Sequence, residues 1–284
     1  MESSSVSGNQ LAAHIRAHLP ELREAEARVA QVVLDQGADL VELTVGDVAA
    51  LAGTASSSVV RACQRLGFRG FQQLKLAAAR QAPRPAEAPE ADRDPAARAL
   101  ADTVRAARDA LDGLTATLAP DRLRTAAELL DAGSRILVVA TGLSSAVALD
   151  AAYRLRALGL AVDAPADPST AQLAAGLLPP SAVCLAISHT GAARTTVDAA
   201  RLAREAGATV IALTSTAHSP LTELSACTLV AGGQDLILGL ETVASRLVHL
   251  AVVDALTLTL LELRGAAAEQ ALYLTAGISA DYLL

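Results

Sequence analysis

The chain has 284 residues, 52% of them apolar, enough for about two domains with a buried core in each. Its 23 Lys and Arg against 30 Asp and Glu give a net charge of −7, which excludes a protein that coats nucleic acid by bulk positive charge and confines any such site to a local patch. Cys63, Cys184 and Cys227 stand far apart and odd in number, so they suggest neither a disulfide framework nor a zinc cluster but free thiols in a reducing cytoplasm.

In chain order, the Ser-rich start Met1–Gln10 lacks the basic residues and apolar run of an export signal, so a cytoplasmic location is expected. Leu11 to Arg80 reads as helix and turn. Thr44-Val45-Gly46-Asp47 has the pattern of a capping box, in which the Thr hydroxyl accepts from an early backbone N–H and the acid returns to the N–H of the cap. The helix so started runs to about Leu51 and meets Gly53, suited to a left-handed turn, after which Ser56 to Leu66 forms a second helix. This is a helix-turn-helix pattern. On the second helix Val59, Cys63 and Leu66 face the core, while Ser57, Ser58, Arg61, Gln64 and Arg65 lie largely on the outer face. Small hydroxyls allow close approach to a DNA groove, and Arg and Gln can bond base edges in pairs. Residues 56–80 carry Arg61, Arg65, Arg69, Lys75 and Arg80 with no acid. A solvated basic face on an ordinary helical bundle is the alternative, and the acid-free run weighs against it. Candidate DNA contacts are Thr44, Ser56, Ser57, Ser58, Arg61, Gln64, Arg65, Arg69 and Lys75.

Gln81 to Pro95 holds four of the eleven prolines, which are barred from helix interiors and central strands, and so reads as a linker. It divides a helix-turn-helix domain, 1–80, from a second domain, 96–284. Helices are expected there at about Ala96–Leu118 and Asp121–Ala132. Short apolar or β-branched runs follow at Arg135–Ala140, Leu160–Asp163, Ala182–Ile187, Thr209–Leu213 and Cys227–Ala231, with helical segments between them. That alternation predicts an α/β fold with a doubly wound parallel sheet, flavodoxin-like, whose ligands sit at the carboxyl ends of the strands. The most apolar stretch, Leu247–Leu263, is interrupted by His249, Asp254, two threonines and Glu262, which reads as a buried helix rather than a membrane span. Gly265–Leu284 reads either as an extra helix or as a tail.

Two of the expected strands run into polar turns, Thr141-Gly142-Leu143-Ser144-Ser145 and Ser188-His189-Thr190-Gly191. Such turns aim backbone N–H groups and the positive end of a helix dipole at the crevice, and the hydroxyls of Ser144, Ser145, Ser188 and Thr190 add donors, so a phosphate is the natural guest. The same residue types are also ordinary turn and cap residues. No G-x-G-x-x-G or Walker loop is present, which disfavours a dinucleotide or nucleoside triphosphate, and no cofactor is expected. His189 reads either as a sugar contact or as a packing wall, His218 as solvated, and His249 as a core or interface residue. None has metal-ligand spacing.

The N-terminal residues resemble RpiR-type bacterial transcriptional regulators. The resemblance is carried by Glu21 to Leu34, Leu43-Thr44, Asp47-Val48-Ala49, Gly53, Ser58-Val59-Val60-Arg61 and, most specifically, the LGF-x-GF-x-x-LK run ending at Lys75. Phe68 and Phe71 in that run are expected to pack neighbouring helices together. Ala55 stands where the family usually caps the reading helix with Ser, which leaves Thr54 or Ser56 to cap it. The later loops resemble the SIS (sugar isomerase) domain, the phosphosugar-binding module that follows in such regulators, and the two resemblances cover about Leu11 to Arg264. They imply a first phosphate loop at Ser144 and Ser145, a Ser-x-Ser-Gly loop at Ser188, Thr190 and Gly191, and a long helix opened by Glu241 that lines the crevice and the dimer interface. Candidate ligand residues are therefore Gly142, Ser144, Ser145, Ser188, His189, Thr190, Gly191 and Glu241. Ala192 and Ala193 depart from the pattern and remove a hydroxyl expected near the phosphate.

The implied function is a DNA-binding regulator, a repressor by family habit, that senses a phosphorylated sugar or related metabolite. Its partners would be a double-stranded operator of pseudo-palindromic or paired half-sites, a phosphosugar-like effector and further copies of itself in a homodimer or tetramer, with no membrane. Two alternatives stand beside it. One is a phosphosugar isomerase or lyase with Glu241 as the base; the other is a regulator whose pocket is degenerate or redirected, as the two alanines would allow.

Overall fold

A computed structural model describes residues 8–79, 94–232, 236–237, 240–241 and 243–280. The chain divides into two compact units, Met1–Thr117 and Leu118–Leu284. The first is helical: α1 (Gly8–His18), α2 (Glu24–Gln36), α3 (Val45–Leu51), α4 (Ser56–Arg65), α5 (Phe71–Ala79), α6 (Pro95–Asp112) and the short α7 (Leu114–Thr117). Apolar residues three or four apart build its core, with Leu11 and Ile15 from α1, Val29 and Val33 from α2, Val59 and Cys63 from α4, and Leu74 from α5. Phe71 is buried in that core and Phe68 packs against it, which ties the end of α4 to α5.

The local signals at the helix-turn-helix are met. Thr44 Oγ1 accepts from the Asp47 amide at 3.2 Å and Asp47 Oδ2 accepts from the Thr44 amide at 2.8 Å, closing the capping box. Gly53 takes φ 58° in the turn between α3 and α4. The proline-rich segment 81–95 lies outside the described residues except for Asp94, which caps α6, and Pro95. Helices α6 and α7 pack on α1 and so group with the N-terminal unit, although the prolines alone suggest a division before them.

The second unit holds α8 (Pro120–Ala132), β1 (Ile136–Ala140), α9 (Ser145–Ala157), β2 (Val162–Asp163), α10 (Pro168–Gly176), β3 (Val183–Ile187), α11 (Arg194–Glu205), β4 (Thr209–Thr214), β5 (Cys227–Val230), a two-stranded ribbon of β6 (Leu236–Ile237) and β7 (Leu240–Glu241), α12 (Val243–Arg264) and α13 (Ala266–Ala280). The first five strands are parallel in the order β2-β1-β3-β4-β5. Leu137, Val139, Cys184, Ala186, Val210 and Ala212 point to the face covered by α10 and α11. The alternate residues, among them Ile136, Leu185 and Ile211, are equally buried on the face covered by α8, α9 and α12. Burial on both faces is why these strands read as continuous apolar runs.

One expectation changes and one open alternative is decided. Leu247–Leu263 lies within α12, but the helix is buried on one side only: Val248, Val252, Leu256 and Leu260 are inside, while Leu258 and Leu263 are exposed. Beyond Gly265, at φ 50°, the chain continues as α13 rather than as a tail. No helix among the described residues is long and apolar enough to cross a membrane. All three cysteines are free and buried, and burial pushes the Cys63 thiol up to about 11 and the Cys184 thiol up to about 12. Truncating the central strand at Leu185 to alanine should cost about 2–5 kcal/mol in denaturant unfolding. A change below about 1 kcal/mol would contradict a tightly filled core around β3.

Candidate nucleic-acid interface and anion crevice

Helix α4 is preceded by Ala55, which has the extended dihedrals of an N-cap (φ −86°, ψ 151°) and makes no side-chain cap bond. Neither Thr54 nor Ser56 takes over, because the cap position itself falls on a residue whose methyl cannot accept; the Ser58 amide instead reaches back to the Ala55 carbonyl at 2.8 Å. Ser56, Ser57, Arg61, Gln64 and Arg65 are exposed on α4, and Arg69 follows on the same stretch. Ser58 is buried instead. It lies one turn before Ala62 on the core side and accepts from Arg61 Nη2 at 3.1 Å.

Thr44 is exposed, but its hydroxyl donates to Asp47 at 2.6 Å as well as capping α3. Lys75 is half-buried. Its ammonium donates to the Leu43 carbonyl at 2.9 Å and stands 5.8 Å from the centre of the Phe71 ring, so it braces the fold. Arg80 lies outside the described residues.

Two residues that sequence reasoning passes over organise this surface. Glu26 of α2 has a side chain only 3% exposed; it meets Arg65 Nε at 3.1 Å and Arg61 Nε at 3.9 Å, and accepts from the Arg23 amide at 3.0 Å. The run that is free of acid in sequence therefore faces an acid in space. Arg28, half a turn further along α2, donates from Nε to the Ala52 carbonyl at 2.9 Å and from Nη2 to the Gly53 carbonyl at 3.4 Å, holding the turn between α3 and α4. A signal for Glu26 is present in the chain: it precedes Val29, Ala30 and Val33 by three, four and seven residues and so sits on the apolar stripe of its helix.

In the second unit, the chain leaves β1 for α9 on one face of the sheet and leaves β3 for α11 on the other. The two strands are neighbours, with Ala140 opposite Ile187, so the turns at 141–144 and 188–191 lie side by side at the carboxyl end. Gly142 and Gly191 both take φ 63°. A Cβ on Gly191 would collide with Ser219 and come within 3.1 Å of Thr214 Oγ1, so that position admits only glycine. Ser144 and Ser188 are buried in the turns, Ser145 opens α9, and Thr190 Oγ1 accepts from the Ala192 amide at 3.2 Å.

Hydroxyls also bridge the two turns. Thr195 Oγ1 donates to Thr141 Oγ1 at 3.1 Å, and Thr141 and Thr196 share a hydrogen bond at 3.2 Å. These threonines follow Ala193 in the first turn of α11, so hydroxyls absent at Ala192 and Ala193 recur just beyond them. Beside Ser145 lies a small cleft of about 50 Å³ walled by Val138, Ala140, Leu149 and Pro165.

Behind the second turn, His189 is 2% exposed, with Nδ1 2.8 Å from Ser215 Oγ, which is in turn 3.1 Å from His249 Nε2. His249 also donates to the Ala231 carbonyl. Ser215 Oγ thus bridges the two imidazoles, the donor at each step being set by their tautomers. Thr214 Oγ1 donates to the His189 carbonyl at 3.1 Å and Thr216 Oγ1 to the Thr190 carbonyl at 3.2 Å, pinning the backbone of the turn from β4. Burial above all, with His189 nearby, pushes His249 down to about 3 and keeps it neutral. His218 is exposed. Glu241 contributes backbone to β7, and its side chain lies outside the described residues, as does Thr242. Among the described residues no group of three His, Cys, Asp or Glu could hold a metal.

Comparison with known proteins finds two family models in this chain: a helix-turn-helix domain of the rpiR family over residues 9–83 and a SIS domain over residues 128–259. The chain is 32% identical to the HTH-type transcriptional regulator HexR of Pseudomonas aeruginosa, over 85% of this chain and 86% of that one. It is 28% identical to an HTH-type transcriptional regulator of Caldanaerobacter subterraneus, over 85% and 87%. Among solved structures it is similar to Vibrio vulnificus NanR complexed with ManNAc-6P, with a TM-score of 0.62, 25% identity and coverage of 96% and 98%.

Gly191→Ala should distort the second turn and lower stability, read as a fall in Tm; an unchanged Tm would contradict the close approach of Ser219. His249 has a folded pKa below its ordinary 6.5, so its contribution to stability is complete above pH 6.5 and is lost as pH falls toward 3. His14, also lowered chiefly by burial, acts with the same sign. Tm should therefore drop between pH 7 and pH 5, and less so in His249→Gln; equal pH profiles in both proteins would contradict the buried neutral imidazole.

Proposed function

From its membership of the rpiR family of helix-turn-helix transcriptional regulators, the chain is a DNA-binding regulator rather than an enzyme, and we propose that its C-terminal domain senses a sugar phosphate bound between the turns after β1 and β3. The observation that carries this reading is the pair of adjacent hydroxyl-lined turns, each leading into a helix N-terminus. The likeness to the NanR complex with ManNAc-6P supports the same ligand class. In this reading Ser144, Ser145, Ser188 and Thr190, with the amides around Gly142 and Gly191, hold the phosphoryl group. Thr141, Thr195 and Thr196 supply hydroxyls that Ala192 and Ala193 do not, which favours a working pocket over a degenerate one.

An isomerase or lyase built on Glu241 would leave the helix-turn-helix domain without a use, and the relatives HexR and its Caldanaerobacter counterpart are named as regulators. On the DNA side, the exposed Ser56, Ser57, Arg61, Gln64, Arg65 and Arg69 read or flank the groove, while Ser58 supports Arg61 from within the domain, Lys75 bonds the Leu43 carbonyl and Thr44 caps α3. The proline-rich segment 81–95 leads from the reading helices to α6 and α7, and the sensing domain follows these.

The protein acts as a repressor and as a homodimer. An apolar surface supports the dimer: Leu149 and Tyr153 on α9 and Leu258 on α12 are exposed, and Arg154 of α9 pairs with Asp254 of α12 at 2.7 Å, binding the two helices into one layer. Two reading helices then call for a pseudo-palindromic operator or paired half-sites.

A thermal-shift screen against sugar phosphates and amino-sugar phosphates tests the sensor. A ligand at about 100 times its Kd should add roughly 2.7 kcal/mol of stability. The unphosphorylated sugars should give no shift, and Ser145→Ala or Thr190→Val should abolish it; no shift with any phosphorylated sugar, or one that survives both substitutions, would overturn the crevice as the site. For DNA, Gln64→Ala should cost about 1–3 kcal/mol on the operator and relax its sequence preference. Equal losses on operator and random duplex would contradict base reading by Gln64.

A further inference from the structure

We propose that Glu26 is a positioning residue for sequence discrimination, a carboxylate reaching from α2 to set how Arg61 and Arg65 leave the reading helix; the inference rests on the reading of α4 as the helix that enters the groove. The side chain of Glu26 is almost fully buried, yet it sits beneath two exposed arginines, meeting Arg65 Nε at 3.1 Å and Arg61 Nε at 3.9 Å. A buried carboxylate is held in place only by charge and hydrogen-bond partners. Here they come from the Arg23 amide and from α4. The arginines are one turn apart on α4 and are steadied from their other atoms, Arg61 Nη2 by the Ser57 and Ser58 hydroxyls at 3.4 and 3.1 Å, and Arg65 Nη1 by the Glu21 carbonyl at 3.3 Å.

Arg65, which would otherwise sample many rotamers, is therefore held at Nε from a second helix, and Arg61 is drawn toward the same carboxylate by charge. Base edges are read by donors held in register, whereas a loose guanidinium finds phosphates on any sequence. The carboxylate also removes part of the field that draws the helix to any duplex. Discrimination at this surface is then set partly from α2, by a residue that does not itself face DNA.

Glu26→Gln tests the proposal, since the amide keeps the shape and the acceptor for the Arg23 amide but loses the charge. The probes are an operator duplex selected from a random pool by the native protein and a random duplex, with circular dichroism to follow folding. Operator affinity should fall about tenfold or more, while random-duplex affinity holds or rises. The salt dependence of random-duplex binding should steepen by about 0.9 for each additional phosphate that the released arginines neutralise. A folded variant whose operator-to-random ratio is unchanged, or whose two affinities fall together by the same factor, would overturn the proposal. If Glu26→Gln does not fold, Glu26→Asp decides: it keeps the charge but withdraws the carboxylate by one methylene, and a lowered ratio supports the proposal where an unchanged ratio overturns it. Gln64→Ala separates the two readings. A loss of ratio there with none at Glu26 defeats only the positioning role, whereas no loss at either position means that α4 does not read DNA.

Discussion

Two neighbouring parallel strands that deliver their chains to opposite faces of one sheet make the crevice on which the sensing domain depends. Because β1 and β3 are paired in register and α9 and α11 depart on opposite sides, the turns after them meet with no other element between them. The polar side chains at this end of the sheet are arranged around that meeting. The turns contribute hydroxyls and amides, the first turn of α11 adds Thr195 and Thr196, and the end of β4 holds the second turn through Thr214, Ser215 and Thr216. Gly191 is required because the backbone passes too close to Ser219 for any side chain.

The helical domain relies on a different device, polar side chains of α2 that reach across to the helix-turn-helix. Arg28 holds the turn by its carbonyls and Glu26 holds the two arginines of α4. Apolar packing sets how these helices lie together, but it leaves the long charged side chains undetermined. The ion pairs supply that missing order. Their value is in geometry more than in stability, since pairs with half-exposed arginines contribute little to folding.

Much of this is legible in the chain. The three central strands, β1, β3 and β4, stand out because burial on both faces makes them continuous apolar runs, the capping box because Thr44 and Asp47 are local partners, and the turn because Gly53 takes a left-handed conformation. Contacts between distant segments are not legible. The acid-free run around Arg61 and Arg65 gives no hint of a carboxylate on α2, and the meeting of Thr141 with Thr195 and Thr196 depends on the register of two strands far apart in the chain. Ser58 adjoins the boundary of the apolar stripe, so helical periodicity alone places it outside; Lys75 reads as a free cation because its partner, the Leu43 carbonyl, lies far away in sequence. Prolines mark a break in regular structure, but only packing decides that α6 and α7 belong with α1.

A regulator that senses a sugar phosphate, as proposed, requires that occupancy of the crevice change how the reading helices hold DNA. Such coupling is a free energy shared by the two sites, so it must appear equally from either side. The most direct measurement is the operator affinity of the full chain, by fluorescence anisotropy, across a titration with a sugar phosphate that binds it, together with the affinity for that sugar phosphate with and without operator. The expected result is a shift of about fivefold or more in operator Kd, matched by the same factor in effector Kd. An operator Kd that stays constant while the sugar phosphate saturates its site would contradict the account.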